Sequence, residues 1–284
     1  MRRIRTTIQA LIGATVIAGG MAALTPAAQA ATPVACSENA LVAAVNLANQ
    51  TSAADTLTLA GGCTYTMTSA HGDLANGPEA LPVITTPIEL IGPATITRSS
   101  LLPFRIAEVS STGNLTLTTA VALTNGSAVG NGGAILNRGA VTLTNSSLSG
   151  NTATLNGGGL ANADTPSGTA PAATFTRSPV TGNSALLSGG GIYNGRRGTL
   201  TATGVSGSPL IISGNTAGVN GGGIAAVDST ATTLTQTAVT KNTAVTAGGV
   251  YRRNGTMTTT NSPISANITN NCVGSTPAVP NCTG

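Results

Sequence analysis

The sequence is poor in charged and aromatic side chains, and this limits what the protein can do. Charged residues make up 7% of the 284 residues and aromatic residues 2%, with no tryptophan, one histidine and one lysine. An ordinary globular domain carries about 25% charged residues. Nucleic-acid binders concentrate Lys and Arg to neutralise phosphates, so the composition speaks against a nucleic-acid partner. A composition rich in Thr, Ser, Asn and Gly favours a repetitive all-β protein with a hydroxyl- and amide-covered surface. The 40% of hydrophobic residues argue against disorder.

The first thirty residues are typical of a secretory signal peptide. Three arginines precede an apolar run that ends near Leu24, and Ala28-Gln29-Ala30 is a small-x-small cleavage pattern. A retained membrane anchor is the alternative, which the small residues within the run disfavour. The sequence therefore predicts a mature chain that starts at Ala31, has no membrane span and is secreted. Its formal charge is nine basic minus eight acidic residues, or +1.

The four cysteines lie as two outlying pairs, which leaves the middle of the chain without any. Secretion into an oxidising compartment favours disulfides. Three pairings are possible, and we prefer Cys36 with Cys63 and Cys272 with Cys282, because each of these bonds would staple one end of the chain. A zinc site is disfavoured, since there is no C-x-x-C and one histidine. We predict no metal site and no cofactor.

A motif recurs along the central part of the chain. In "SGNTATLNGGGL", residues 149–160, Gly-Asn-Thr precedes three glycines, and related stretches follow. The last glycine of each triplet, or its equivalent, advances by 25, 32, 32 and 26 residues through Ala134, Gly159, Gly191, Gly223 and Gly249. The asparagines advance by 32, 32, 27 and 25 through Asn151, Asn183, Asn215, Asn242 and Asn267. Self-similarity at such a period indicates a solenoid.

Each unit begins with a stretch of alternating apolar and hydroxyl residues, such as "AVTLTNSSLSGN". Period two with β-branched residues indicates strands. The units therefore predict the coils of a parallel β-helix, stacked about 4.8 Å apart. Glycine at the same turn of every coil lets backbones approach closely, and a column of Asn can form a ladder of amide hydrogen bonds. The alternative, a phosphate-binding loop, lacks the G-x-G-x-x-G and Gly-Lys-Ser/Thr patterns.

The repeat resembles that of bacterial polymorphic outer membrane proteins, which pair an apolar-x-x-Asn segment with Gly-Gly-Ala-Ile. The glycine half is literal at Gly132-Gly133-Ala134-Ile135, and Leu148-x-x-Asn151 illustrates the other half, with aliphatic residues where the family usually has Phe. The resemblance covers about residues 123–271. It implies a right-handed parallel β-helix of the pectin-lyase-like kind.

The start of the mature chain predicts a capping helix. In "CSENALVAAVNLANQ", Ser37 is placed as the N-cap, and Leu41, Val42 and Val45 fall on one face. The stretch is similar to the Cys-Ser opening of many secreted β-helix proteins. We therefore divide the mature chain, residues 31–284, into three parts: a cap with irregular coils (31–122), the repeats (123–271) and a disulfide-tied tail (272–284).

The repeats contain few groups that could act as acid or base. Asp164 and Asp228 both fall five residues after an aligned glycine, and Arg196 holds this position in the coil between them. If register holds, the two aspartates lie about 10 Å apart, near the upper limit for an inverting glycosidase. The alternative is an exposed salt-bridge ladder. His71 reads as a loop residue, since no G-x-S-x-G elbow accompanies it.

Two tyrosines and four arginines form the predicted ligand site. Tyr193 and Tyr251 follow core-facing residues and so point outward, next to Arg196, Arg197, Arg252 and Arg253. Such a group could stack on and pair with an anionic glycan, and scattered surface residues are the alternative. We expect a secreted, monomeric structural, adhesion-type or glycan-binding protein, which binds a polysaccharide or cell-surface polymer without cleaving it. A polysaccharide lyase or glycoside hydrolase is the alternative function, which fold alone cannot decide.

Overall fold

The computed structural model describes residues 31–72, 75–163 and 169–284. The predicted signal peptide, residues 1–30, lies outside the described residues. Within them the chain forms one α-helix, Glu38–Ala48, and four sheets whose neighbouring strands pair in parallel. The prediction of an all-β parallel β-helix with an N-terminal helix is confirmed. No helix of the described segments is long and apolar enough to cross a membrane.

A complete coil passes through four sheets in turn. The first sheet contains Thr32–Val34, Asp55–Leu59, Pro87–Ile91, Asn114–Thr118, Ala140–Thr144, Ala172–Thr176, Thr199–Thr203, Ala231–Thr235 and Thr256–Thr260. The second contains Cys63–Met67, Ala94–Arg98, Val121–Thr124, Ser147–Ser149, Val180–Thr181, Leu210–Ser213, Thr237–Thr240 and Ile264–Ser265. The third contains Ser127–Ala128, Thr152–Ala153, Ser184–Ala185 and Thr216–Ala217. The fourth contains Ala107–Val109, Ile135–Asn137, Leu160–Asn162, Ile192–Asn194, Ile224–Val227 and Val250–Arg253.

The strand register follows the spacing of the sequence motif. In the fourth sheet Ile135 pairs with Leu160, and the column continues through Ile192, Ile224 and Val250. The two longer steps come from extra residues at different corners. The link from Asn162 to Ala172 is longer than the equivalent link from Asn137 to Ala140, and residues 204–209 add length between the first and second sheets. Insertions at corners leave the stacked strands in register, because the strands themselves keep their length.

The core is a column of apolar side chains enclosed by the four sheets. Alternate residues of each strand point inward, and those of Ala172–Thr176 show the pattern, with Ala173 and Phe175 buried between half-buried neighbours. Phe175 stacks between Leu143 and Ala202 in the adjacent coils. A large residue beside a small one lets the layers fill space without a cavity. Burial of each large apolar side chain stabilises the fold by about 1.5–3 kcal/mol.

The triple glycines are required by the backbone. Gly157, the first glycine of its triplet, has φ +69°, a left-handed conformation that L side chains rarely adopt. Gly158, the second, has no room for a side chain, because a Cβ would lie 2.4 Å from the carbonyl oxygen of Gly190 in the next coil. The coils therefore stack at this corner through bare backbone, and no ligand is needed to explain the glycines.

The motif asparagines lie one above another inside the turn between the second and third sheets. Asn151 Nδ2 donates to Asn183 Oδ1 at 2.9 Å, and the same contact joins each later pair at 2.9–3.0 Å as far as Asn267. Each backbone N–H also donates to the Oδ1 atom of the next asparagine. The first four side chains are buried. The ladder thus satisfies polar groups in the interior and fixes the vertical register of the coils.

A second ladder, which the sequence analysis missed, lies at the corner between the fourth and first sheets. Asn137 Nδ2 donates to Asn162 Oδ1 at 2.8 Å, and Asn162 Nδ2 donates to Asn194 Oδ1 at 3.1 Å. Asn194 then donates to the hydroxyl of Thr232 at 2.9 Å. All three asparagines are buried. Each follows the aligned Ala or Gly by three residues, so the signal was present in the sequence.

Both ends of the stack are covered. The helix begins after Ser37, whose hydroxyl accepts a hydrogen bond from the Ala40 N–H, and it buries Leu41 and Val45 against the first coil. At the other end Val279 is buried, and Thr259 Oγ1 donates to the Pro280 carbonyl at 2.8 Å. The disulfides are Cys36–Cys63 and Cys272–Cys282, the pairs that we preferred. Covered ends protect the strand edges from pairing with other chains.

Glu38 ties the capping helix to the loop after the Cys63–Met67 strand. Its carboxylate accepts hydrogen bonds from Thr68, Ser69 and His71, with His71 Nε2 at 2.8 Å from Oε1. Partial burial raises the pKa of Glu38. The hydrogen bonds from Thr68, His71 and the backbone outweigh this effect and lower the pKa from 4.5 to about 2.

This lowered pKa predicts a pH-dependent attachment of the helix. A depressed folded-state pKa contributes stability that is present above pH 4.5 and is lost as the pH falls toward 2. Glu38→Gln should therefore destabilise the protein at neutral pH, and its difference from the wild type should vanish near pH 2. Urea denaturation at a series of pH values measures this difference. A constant difference across the series would contradict the prediction.

Candidate functional site

The predicted ligand residues lie at the corner where the chain leaves the fourth sheet. We call this site the charged corner and define it as Tyr193, Arg196, Arg197, Asp228, Tyr251, Arg252 and Arg253. Its register is set by the fourth sheet, in which Tyr193 pairs with Ala225 and Ala225 with Tyr251. The tyrosines are thus two strands apart on the outer face, while Ile192 beside Tyr193 is buried in the core.

Asp228 is held by the neighbouring coil. Arg253 Nη2 donates to Asp228 Oδ2 at 2.6 Å, and Asn254 Nδ2 donates to Oδ1 at 2.7 Å. The hydrogen bond from Arg253, and then that from Asn254, lower the pKa of Asp228, and the charge of Arg196 lowers it further. Both oxygens therefore already accept hydrogen bonds in the ionised form. Such a carboxylate is a poor general acid or base at neutral pH.

The tyrosines share an electrostatic environment with Arg253. Tyr193 is half-buried, and burial raises its pKa; the positive charge of Arg253 lowers it and the negative charge of Asp228 raises it. The charges of Tyr251 and Tyr193 also contribute to the raised pKa of Arg253, after the larger effects of the Asp228 hydrogen bond and charge. Tyr193 therefore keeps its hydroxyl proton at neutral pH and can donate a hydrogen bond.

The arginines have different surroundings. Arg196 is exposed and Arg197 is half-buried. The backbone N–H of Arg197 donates to the Asp228 carbonyl at 3.1 Å. Arg252 instead folds against the tail, since its guanidinium donates to the carbonyls of Asn254, Gly255 and Ala278. Arg252 pairs with Ala226, which in turn pairs with Asn194 of the second ladder, so Arg252 lies in the same column as the ladder. It fastens the tail at the place where a further coil would lie.

Two members of the predicted Asp-Arg-Asp column, Arg196 and Asp228, lie within the described residues. Asp164 lies outside the described residues. Asn194 pairs with Ala226, which brings the residues two positions further, Arg196 and Asp228, to the same level of adjacent coils. Arg196 is close enough to lower the pKa of Asp228. Among its described residues the charged corner therefore contains four arginines and a single carboxylate, which Arg253 and Asn254 already engage.

A buried group of charges, which was not predicted from the sequence, lies at the N-terminal end of the fourth sheet. Arg105 Nη1 lies 3.1 Å from Glu79 Oε2 and 3.5 Å from Glu108 Oε2. Arg138 Nη1 lies 3.4 Å from the other oxygen of Glu108, and Asn76 Nδ2 donates to that oxygen at 2.7 Å. Arg105, Glu79 and Glu108 are each at most 3% exposed. Burial lowers the pKa of Arg105, and the charges of Glu108 and Glu79 oppose this effect.

This buried cluster holds the irregular coils together. Arg105 also donates to the carbonyls of Asn76 and Gly77, at 2.7 and 2.9 Å. Its guanidinium therefore fixes a segment that runs over the outer face of the fourth sheet, where Glu108 pairs with Leu136. The two carboxylates are covered by protein, so no substrate can reach them in this conformation. We interpret the cluster as structural.

His71 is a loop residue, as expected, but it is not isolated. Its Nε2 atom lies 2.8 Å from Glu38 Oε1 and 3.2 Å from Ser69 Oγ. In a serine triad the imidazole uses one nitrogen for the nucleophile and the other for the carboxylate. Here the same nitrogen faces both groups. The three residues therefore form a structural tie of the capping helix and lack the arrangement of a triad.

Comparison with known protein families, with curated proteins and with solved structures finds no match for this chain. Within the described segments no three His, Cys, Asp or Glu residues come together in a group that could hold a metal ion.

Proposed function

We propose that the protein is a secreted, non-catalytic β-helix protein of the pectin-lyase-like kind, which binds an anionic polysaccharide or cell-surface polymer as a monomer. The observation that carries the proposal is the engagement of Asp228 by Arg253 and Asn254. With its described carboxylate engaged, the charged corner offers guanidinium and phenol groups. These groups bind carboxylates and sugar hydroxyls and do not transfer protons at neutral pH.

The shape of the β-helix suits an extended ligand. Stacked coils about 4.8 Å apart place equivalent side chains along a line, and each coil adds a weak contact at little further entropic cost. Signal-peptide-like composition at residues 1–30 and two disulfides support an extracellular location. The repeat resemblance supports a bacterial surface or adhesion role.

The proposal predicts a weaker interaction when a cation or an aromatic ring of the charged corner is removed. Arg197→Ala and Tyr193→Ala should each weaken binding to a uronate-containing polysaccharide about tenfold, as expected for a central contact residue. Binding of the wild type should also weaken as salt is added, since exposed charges are screened. Titration calorimetry with polygalacturonate, and with a neutral glucan for comparison, measures these effects.

A matched control is Arg177→Ala. Arg177 is an exposed arginine at the opposite end of a first-sheet strand, so its removal changes the net charge equally and should leave binding unchanged. If Arg177→Ala and Arg197→Ala weakened binding equally, the interaction would depend on the overall charge of the protein and not on the charged corner. If the wild type cleaved the polymer and Asp228→Asn abolished this cleavage, the lyase or hydrolase alternative would replace the proposal.

A further inference from the structure

The outer face of the first sheet carries a regular array of threonines. Two outward positions of six consecutive strands are both Thr in every strand: Thr116 and Thr118, Thr142 and Thr144, Thr174 and Thr176, Thr201 and Thr203, Thr233 and Thr235, and Thr258 and Thr260. We call this set the threonine array. The register pairs threonines of neighbouring strands with one another; for example, Thr174 pairs with Thr142 on one side and with Thr201 on the other. The array therefore has two columns and six rows.

The array is free of charged and aromatic side chains. The third outward position of the same strands holds small or amide residues: Asn114, Ala140, Ala172, Thr199, Ala231 and Thr256. Rows before the array break the pattern, since Thr56 and Thr58 pair with Glu89 and Ile91. The second sheet carries a hydroxyl in one column, but its other column includes Ala122, Ile211 and Ala238. The two-column array is a property of the first sheet.

The hydroxyls of the array are available to solvent. Thr118 donates to Glu89 at 3.0 Å, and the other members of the array make no side-chain hydrogen bond to another described residue. Elsewhere the chain uses such hydroxyls internally, as in the buried Thr237, which donates to the Ala202 carbonyl. Threonine is stiff at χ1 because it branches at Cβ, so each hydroxyl and methyl is held with little loss of entropy. The array therefore presents fixed hydroxyls and methyls in a repeating order.

The spacing of the array is that of any parallel sheet, and its uniform occupation by threonine is what restricts the ligand. Neighbouring rows lie about 4.8 Å apart, and the two columns lie about 6.6 Å apart, twice the rise per residue of a parallel strand. A surface of fixed hydroxyls at these intervals can hold water molecules in a lattice whose repeats resemble those of oxygen atoms on the prism faces of ice. The absence of charge on this face favours such ordering, since a charged group binds water around itself in another geometry.

We infer that the threonine array binds the surface of ice. A solid lattice engages all rows at once, so many weak contacts add up after a single loss of rotational and translational freedom. An anionic polymer is a poor occupant because the array itself contains no cation, and a sugar face is a poor occupant because the array contains no aromatic ring. The inference concerns a different face from the charged corner and does not depend on the proposed polymer binding.

The test is the growth of single ice crystals in a solution of the oxidised protein. In the presence of the wild type a crystal should stop growing over a temperature interval below its melting point, which we call the freezing-point gap. Fluorescently labelled protein should coat the prism faces of the crystal. Thr201→Tyr replaces an exposed central member of the array and should reduce this freezing-point gap roughly tenfold or more, as loss of multivalent contact implies. Ser213→Tyr places the same bulky ring in the same coil on the second sheet and should leave the gap unchanged.

Several outcomes would overturn the inference. These are the absence of any freezing-point gap in the wild type, equal loss in both variants, or coating by the wild type that ignores crystal orientation. Circular dichroism should show that the variants keep the β-sheet spectrum. If Thr201→Tyr unfolds, Thr174→Tyr tests the same array in the adjacent row. Sedimentation that shows a dimer broken by Thr201→Tyr would assign the face to a second copy of the chain and would also overturn the inference.

Discussion

Asn215→Leu is expected to lower the free energy of unfolding by about 2–6 kcal/mol, because two buried polar groups, the Asn183 backbone N–H and the Val180 carbonyl, lose their side-chain partner at roughly 1–3 kcal/mol each. Asn215 Oδ1 accepts from both the backbone N–H and the Nδ2 of Asn183, at 2.9 and 3.0 Å. Asn215 Nδ2 donates to the Val180 carbonyl at 2.9 Å. Leucine offers none of these contacts.

Two further variants separate the ladder from simple loss of fit. Asn215→Asp keeps an acceptor for Asn183 but loses the donor to Val180, and it sets a charge against the oxygen of Asn242, so it should also destabilise. Thr216→Leu changes the next residue of the chain, which is exposed, and should shift stability by at most about 0.5 kcal/mol. Guanidinium denaturation with the disulfides intact measures all three. A loss below 1 kcal/mol for Asn215→Leu would contradict a stabilising ladder.

The repeating part of the fold could be predicted because its determinants are local. Alternation of apolar and hydroxyl residues indicates strands, and the glycines mark a turn that tolerates no side chain. Register followed from the spacing of the motif, since Ile135 pairs with Leu160 as the 25-residue step requires. The same spacing would have revealed the second ladder at Asn162, and also that Arg252 lies in the same column as this ladder. These two features were missed because only one column of the motif was followed.

The irregular coils could not be predicted in the same way. Glu79 and Arg105 are 26 residues apart, in a segment without a repeated motif, so their contact depends on loop lengths and not on a period. The spacing of Arg105 and Glu108 was a usable signal, because two opposite charges three residues apart are unusual in a chain with 7% charged residues. The Asp228 contacts with Arg253 and Asn254 were also missed, although Asn254 falls five residues after Gly249, the position that Asp228 holds after Gly223.

The threonine array shows how local and long-range information combine. The sequence displays T-x-T in six strands, and alternation alone places both threonines of each pair on the outer face. Only the pairing of the strands shows that the six pairs form two columns. The function of such a surface depends on its two-dimensional order, which no single strand contains.

Arg105→Met is expected to cost about 3–5 kcal/mol of stability, since removing one member of a buried ion pair leaves uncompensated charge in the interior. Methionine fills a similar length without a cation, and Glu79 and Glu108 both lose the guanidinium that lies 3.1 and 3.5 Å away. Arg177→Met, at an exposed position, removes the same charge and should change stability by at most about 0.5 kcal/mol.

The pH dependence of the Arg105→Met variant distinguishes electrostatics from packing. Without the guanidinium, burial disfavours the charged carboxylates and raises their pKa above that of the unfolded chain. A raised folded-state pKa gives stability that is present at low pH and is lost as the pH rises, so the deficit of Arg105→Met should be smaller at pH 4.5 than at pH 8. Adding Glu79→Gln should recover part of the deficit at pH 8, because it removes one of the stranded charges. Denaturant unfolding of the wild type, the single variant and the double variant at both pH values measures these differences. If the deficit were equal at both pH values and Glu79→Gln did not relieve it, the role of Arg105 would be packing alone.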